Sequence, residues 1–402
     1  MKDKIKQKRL NPFLFFFESE SSSGLILLFC AITAMIIANS GLAKSYEHIL
    51  HTYITIGYHK FSLSMSVLHW VNDWVMTLFF LVVGMEIKRE LVIGELKSIK
   101  KTILPISAAI GGMIVPAIIY AIFNYKQSTI TGWGIPMATD IAFALGILSM
   151  VAKKAPKGIV LFLTVLAIVD DLGAIVVIAI FYTSKISWVA LILGLVIFSA
   201  LLIANKVGVK SKTLFIIGGV LLWISFLKSG IHATIAGVLL AMTLPVGKNE
   251  DEFKTSMLQS FEHILTPWSA FVVMPVFALA NSGITLEIKS FSKLIFEPVS
   301  LGIIFGLFIG KQLGIFGVSW VLIKLKIAKL PSKVEMKHLY GASVLGGIGF
   351  TMSLFVSSLS FSDDTILSTA KISIMSGSIL AGICGSMIFK LIERKTKNKH
   401  VG

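Results

Sequence analysis

Charge is scarce in this chain: Asp, Glu, Lys and Arg supply 14% of 402 residues, and only 21 residues are acidic. A soluble globular domain normally carries about a quarter of its residues charged, so a soluble fold is excluded. Cysteine is nearly absent. Cys30 and Cys384 both lie inside apolar stretches, where they behave as small hydrophobes, and they support neither a disulfide framework nor a metal cluster. No resident cofactor is implied. A small-residue cleavage site is missing as well: Lys2, Lys4, Lys6, Lys8 and Arg9 lead through Phe13–Phe17 to Glu18 and Glu20. A cytoplasmic amphipathic N-terminus is therefore expected in place of a signal peptide. Long polar loops are lacking too, so residues 1–402 read as a single polytopic membrane domain without an appended soluble one.

What fills the sequence is apolar, with 55% hydrophobic residues and a mean hydropathy of +0.86. Runs such as Ile103–Phe123, Ile159–Tyr182 and Ile366–Ile392 reach the roughly 20 residues that cross a ~30 Å hydrocarbon core as helix. The strands of a porin would alternate in short segments, so the class is an all-α membrane protein. About twelve spans are expected, near 20–40, 70–87, 102–123, 130–151, 158–182, 188–205, 212–227, 230–246, 262–283, 298–322, 338–361 and 366–392. The net charge of +16 invites a nucleic-acid reading, but the basic residues fall between spans. With a cytoplasmic N-terminus, 28 Lys and Arg lie inside and eight outside, which is the positive-inside pattern of a bacterial inner-membrane protein with both termini cytoplasmic. The residue left over is Lys311.

Two spans look broken. In the fourth, Pro136 follows Gly132 and Gly134 and lacks the amide that would close a helical turn. The eleventh carries Gly346, Gly347 and Gly349 in mid-stretch. Alone, such glycines also fit a close-packing surface. Each break is second in a run of three spans, over 102–182 and 298–392, and runs seven spans apart have opposite orientation. That placement predicts inverted repeats whose interrupted helices cross at the midplane. Between spans one and two, Phe61, Leu63, Met65 and Val67 alternate with Ser62, Ser64 and Ser66, which fits a small external β-hairpin within 41–69 or an unstructured loop.

Asp140, Asp170 and Asp171 fall midway along spans four and five, and Lys311 midway along span ten. A charge at that depth costs on the order of 2.5–3.5 kcal/mol even on lenient scales, so it faces a cavity or a partner. A structural salt bridge would use one carboxylate and leave two uncompensated. Adjacent residues on a helix point about 100° apart, so Asp170 and Asp171 serve different neighbours. Carboxylates, Thr139 and carbonyls freed by a broken helix supply the oxygen ligands that hard cations prefer. Burial disfavours the charged form of a titrating group, so protons and a cation such as Na⁺ compete for the same oxygens.

At these residues the sequence resembles the NhaA family of sodium/proton antiporters, an example in its own right of inverted-repeat transport. The likeness runs along nearly the whole chain through Val83–Leu91, Ala138–Ala144, Ile168–Ala174, Lys228–Thr234, Ile309–Lys311 and Gly347–Ser353. It implies exchange of Na⁺ or Li⁺ for H⁺ with Asp171 as principal cation ligand, Thr139 and Asp140 nearby, and Asp170 paired with Lys311. It further implies that Asp140 and Lys311 compensate facing helix ends, and that the breaks lie at Pro136, Gly347 and Gly349. Glu86, Arg89, Glu90, Glu262 and His232 would take part in pH activation, against the plainer readings of a solvated charge cluster and a packed histidine. Lys311 favours electrogenic exchange, and the 41–69 hairpin corresponds to a homodimer contact. Two other classes make different demands. A sodium-coupled symporter would need a larger polar cavity and a third species. An intramembrane aspartyl protease would need two carboxyls sharing a proton, but neither Asp140 nor Asp171 lies in a Gly-X-Gly-Asp sequence and Lys311 would favour the charged form.

Overall fold

A computed structural model describes residues 20–57, 62–97, 99–152, 155–183, 185–285 and 294–399. The expected amphipathic segment before Glu20, and Phe61 of the expected hairpin, lie outside the described residues. Helix dominates because a chain this apolar must satisfy its backbone groups internally once in lipid. Among the described residues, eight helices are long and apolar enough to cross a membrane, or up to eleven if three bent helix pairs each count as one span.

Helix α1 (Glu20–Ala38) turns by 111° into α2 (Ala43–His51), which was not anticipated because its nine residues are amphipathic and form no apolar run. The Tyr46 hydroxyl on α2 donates to the Leu279 carbonyl at 2.7 Å. The hairpin follows, with β1 (Tyr53–Ile56) antiparallel to β2 (Leu63–Ser66) and Tyr53 opposite Ser66. The alternation stops one residue early: Ser66 caps the next helix by accepting from the His69 amide, so Val67 begins α3 (Val67–Val92).

Helices α4 (Ile99–Phe123), α6 (Lys157–Phe181), α7 (Trp188–Lys206) and α8 (Lys212–Ser229) are unbroken. Between α4 and α6 the chain forms a 3-10 stretch, Ser128–Met137, then α5 (Ile141–Val151), and the two are bent by 43°. The expected span at 230–246 contains only α9 (Ile235–Thr243), about 13 Å long and too short to cross alone. Gly230 at φ +84 ends α8, and the chain re-enters a helix only at Ile235. Helix α9 is held against α3 instead, where a Cβ on Gly237 would collide with the Thr77 carbonyl oxygen.

The short α10 (Glu250–Lys254) leads to α11 (Met257–Asn281) and α12 (Pro298–Lys324). Next come α13 (Met336–Leu345) and α14 (Phe350–Ser360), again bent by 43°, and then α15 (Asp364–Lys399). The π-helical turns Gly306–Gly310 and Gln312–Gly317 flank Lys311 in α12. Such turns shift side-chain direction without ending a helix. The break between α13 and α14 sits directly on α12, since a Cβ on Gly347 would come within 2.5 Å of the Leu307 carbonyl oxygen. Backbone cannot give way as a side-chain tip can. Gly347→Ala is accordingly expected to destabilise the protein by about 1–3 kcal/mol, read as a lower unfolding midpoint in detergent micelles.

Candidate functional site in the helix crossing

The two breaks meet. Ala138 and Asp140 are extended, and the Asp140 amide donates to the Ile348 carbonyl at 2.7 Å, joining the interrupted backbones. Ser353 donates to the Ile135 carbonyl at 2.7 Å and strengthens the same junction. Each break would leave amides and carbonyls without helical partners, so these cross-bonds answer part of that cost. Pro136 is buried in the 3-10 stretch, where its ring would meet a Cβ on Gly306.

Asp140 serves two helix starts at once. Its Oδ1 accepts from the Phe143 amide of α5 at 3.1 Å, while Oδ2 accepts from the Thr351 amide of α14 at 3.1 Å and from the Thr351 hydroxyl. A carboxylate there lies at two positive helix poles. Asp140→Ala is expected to cost about 2 kcal/mol by removing both caps, and Asp140→Asn less than half of that. Thermal unfolding in micelles would separate the two variants.

Opposite this junction lies the buried pair. Lys311 Nζ stands 2.6 Å from Asp170 Oδ2, and both side chains are 0% exposed. Lys311 also donates to Thr139 Oγ1 at 2.9 Å. The Thr139 hydroxyl has two acceptors within reach, Asp170 Oδ2 at 2.7 Å and the Gly346 carbonyl at 2.9 Å, but one proton to give. Gly346 caps the end of α13, so the Lys311 ammonium and Thr139 sit beside a carbonyl pole.

Asp171 is also buried, and its Oδ1 has no hydrogen-bond partner among the described residues, nor has Asp170 Oδ1. It lies in the field of the Asp170, Glu86 and Asp140 carboxyls, with Lys311 as counter-charge. The Thr139 hydroxyl bonds Asp170, the residue preceding Asp171 on α6. The arrangement offers an uncompensated carboxyl next to a neutralised one, which is chemistry for taking up a cation or a proton.

The other expected residues divide into two places. Arg89 forms ion pairs with Glu262 and, at 3.4 Å, with Glu90. Glu86 lies one turn before them on α3, within the field of the same charges. His232 stands apart: it precedes the start of α9, whereas the ammonium of Lys88, the neighbour of Arg89, donates at 2.6 Å to the Met242 and Leu244 carbonyls at its end. The length of α9, about 13 Å, separates them. Lys88, Thr351 and Ser353 were missed as site or supporting residues. Thr351 and Ser353 lie in the glycine-rich motif just past the break, where a helix start needing caps could have drawn attention to them.

Buried charge at the crossing of two interrupted membrane helices defines a class, the secondary transporters. The family described as Na+/H+ antiporter 1 matches residues 15–389. Na(+)/H(+) antiporter NhaA 1 of Clostridium beijerinckii is 71% identical over 99% of this chain and 100% of its own length. Na(+)/H(+) antiporter NhaA of Pelagibacter ubique is 47% identical over 96% of this chain and 98% of its own. The Vibrio cholerae protein of the same name is 45% identical over 94% and 96%. The chain belongs to the Na+/H+ antiporter 1 family.

Proposed function

We propose that this chain exports Na⁺ or Li⁺ in exchange for protons, presenting one site in turn to each side of the bacterial inner membrane. The observation that carries this reading is the buried Asp171 carboxyl, with Oδ1 unbonded among the described residues, beside an Asp170–Lys311 pair. Asp171 holds either the cation or a proton, with oxygens of Thr139 and Asp140 nearby. Cation entry competes with Lys311 for Asp170, so Lys311 and Asp170 take part in proton coupling, and exchange of more than one proton per cation is electrogenic. Asp140 and Lys311 balance the helix poles at the crossing.

In this reading α9 with its preceding turn is a short span, which brings the total to twelve, with both termini cytoplasmic. The equal 43° bends of the two broken pairs support reading 102–182 and 298–392 as inverted repeats around the site. The Arg89, Glu90, Glu86 and Glu262 group, with His232, adjusts activity to pH, and the exposed β1 strand contributes to a homodimer contact.

The test is Na⁺-dependent proton flux in proteoliposomes over a pH series, with and without an imposed potential. Flux that needs Na⁺, speeds with an inside-negative potential on the exporting side, and requires a higher Na⁺ concentration as pH falls is expected, because protons compete for the ligand. Flux that occurs only when an organic solute is co-transported would overturn the reading in favour of a symporter.

A further inference from the structure

A cavity of about 740 Å³ opens on the side of the bundle between α1, α5 and α15. Small residues make it concave: Gly24, Gly146 and Gly382 lie along its walls. Apolar side chains that form its rim, such as Leu28, Ile379 and Met387, are 43–58% exposed. On α1 it runs from Gly24 to Met35, a rise of ~16 Å, and on α15 from Ile372 to Lys390, a rise of ~27 Å. Its length thus approaches the ~30 Å of a hydrocarbon core. All three walls are membrane helices, so the opening faces lipid, and so apolar a groove does not hold water.

One end is charged. Lys390 lines the groove and is exposed, and among the described residues it has no ion-pair partner. Arg394 is exposed one turn further along the same face of α15. Long basic side chains at a helix end reach toward the interface, where phosphate groups lie. The floor is the helix crossing itself. Ile348, whose carbonyl accepts the Asp140 amide, and Phe350, whose amide donates to Ser378 Oγ at 3.1 Å, are both buried and both line the cavity.

From this geometry we infer that the groove is a binding site for an anionic phospholipid, with an acyl chain laid along α1 and α15 against Ile348 and Phe350 and its phosphate at Lys390 and Arg394. The lipid is a packing component of the broken-helix junction. The inference is independent of which ions the protein exchanges.

A photoreactive benzoylphenylalanine at Ile379, in full-length protein reconstituted with equal phosphatidylglycerol and phosphatidylcholine, tests it by mass spectrometry of the adducts. Phosphatidylglycerol adducts should predominate by about tenfold over phosphatidylcholine. The surface variant Lys390→Gln with Arg394→Gln should lose that preference while retaining lipid adducts, and Gly382→Leu, which fills the groove, should reduce all lipid adducts. Adducts to residues 1–19 or to a second copy of the chain, an absence of lipid adducts, or a preference unchanged in the Lys390→Gln, Arg394→Gln protein would each overturn it. The double variant alters only exposed side chains, so folding does not limit the reading.

Discussion

Asp171→Asn is expected to reduce Na⁺-dependent proton flux to the level of protein-free vesicles while leaving thermal stability equal to or above that of the unmodified protein. Asn keeps the size of the side chain and one oxygen, but it neither carries a negative charge nor exchanges a proton. A buried acid without a bonded partner at Oδ1 contributes cost, not cohesion, to the fold, so its neutralisation relieves the structure. A residue that served only packing would behave the other way, losing stability and flux together. Undiminished flux in Asp171→Asn would sink the assignment of Asp171 as the cation and proton ligand.

Lys311 and Asp170 should show the largest effect on stability. Lys311→Met leaves the Asp170 carboxylate buried with Thr139 as its remaining donor, and Asp170→Asn strands an ammonium. Each single change is expected to destabilise by about 3–5 kcal/mol. The double variant Asp170→Asn, Lys311→Met removes both charges and is expected to fall close to the unmodified protein, because an ion pair this deep repays little more than its own desolvation. Unfolding of all four proteins in the same micelles gives the coupling energy. Additive losses would mean that the two side chains act separately, contrary to their 2.6 Å contact.

Much of this site was legible in the sequence because membrane burial makes charge conspicuous. Asp140, Asp170, Asp171 and Lys311 could be picked out by the cost of their positions alone, and the breaks by Pro136 and the glycines around Gly347. Other features left no such trace. Turns of π-helix around Lys311 have no compositional signature, since the same apolar residues would fill an α-helix. Lys88 reads in the sequence as one of the 28 inside basic residues, and nothing there shows that its ammonium is engaged by carbonyls more than 150 residues away, a contact that only the fold creates. Helix α2 is too short and too polar for a hydropathy run, and α9 too short for the span expected of it. The hydrogen bond from Thr139 to Asp170 depends on how α6 is rotated, which spacing in the sequence does not fix.

The single proton of Thr139 has a further consequence. Lys311 holds the oxygen from one side, leaving the hydroxyl free to turn between a side chain of α6 and a carbonyl at the end of α13. A change in the charge of Asp170 alters which acceptor is stronger, and a rotation about one C–O bond is enough to transmit it. The interrupted helix can thus register the state of its neighbour before any helix has moved, with Thr139 as the arbiter between them.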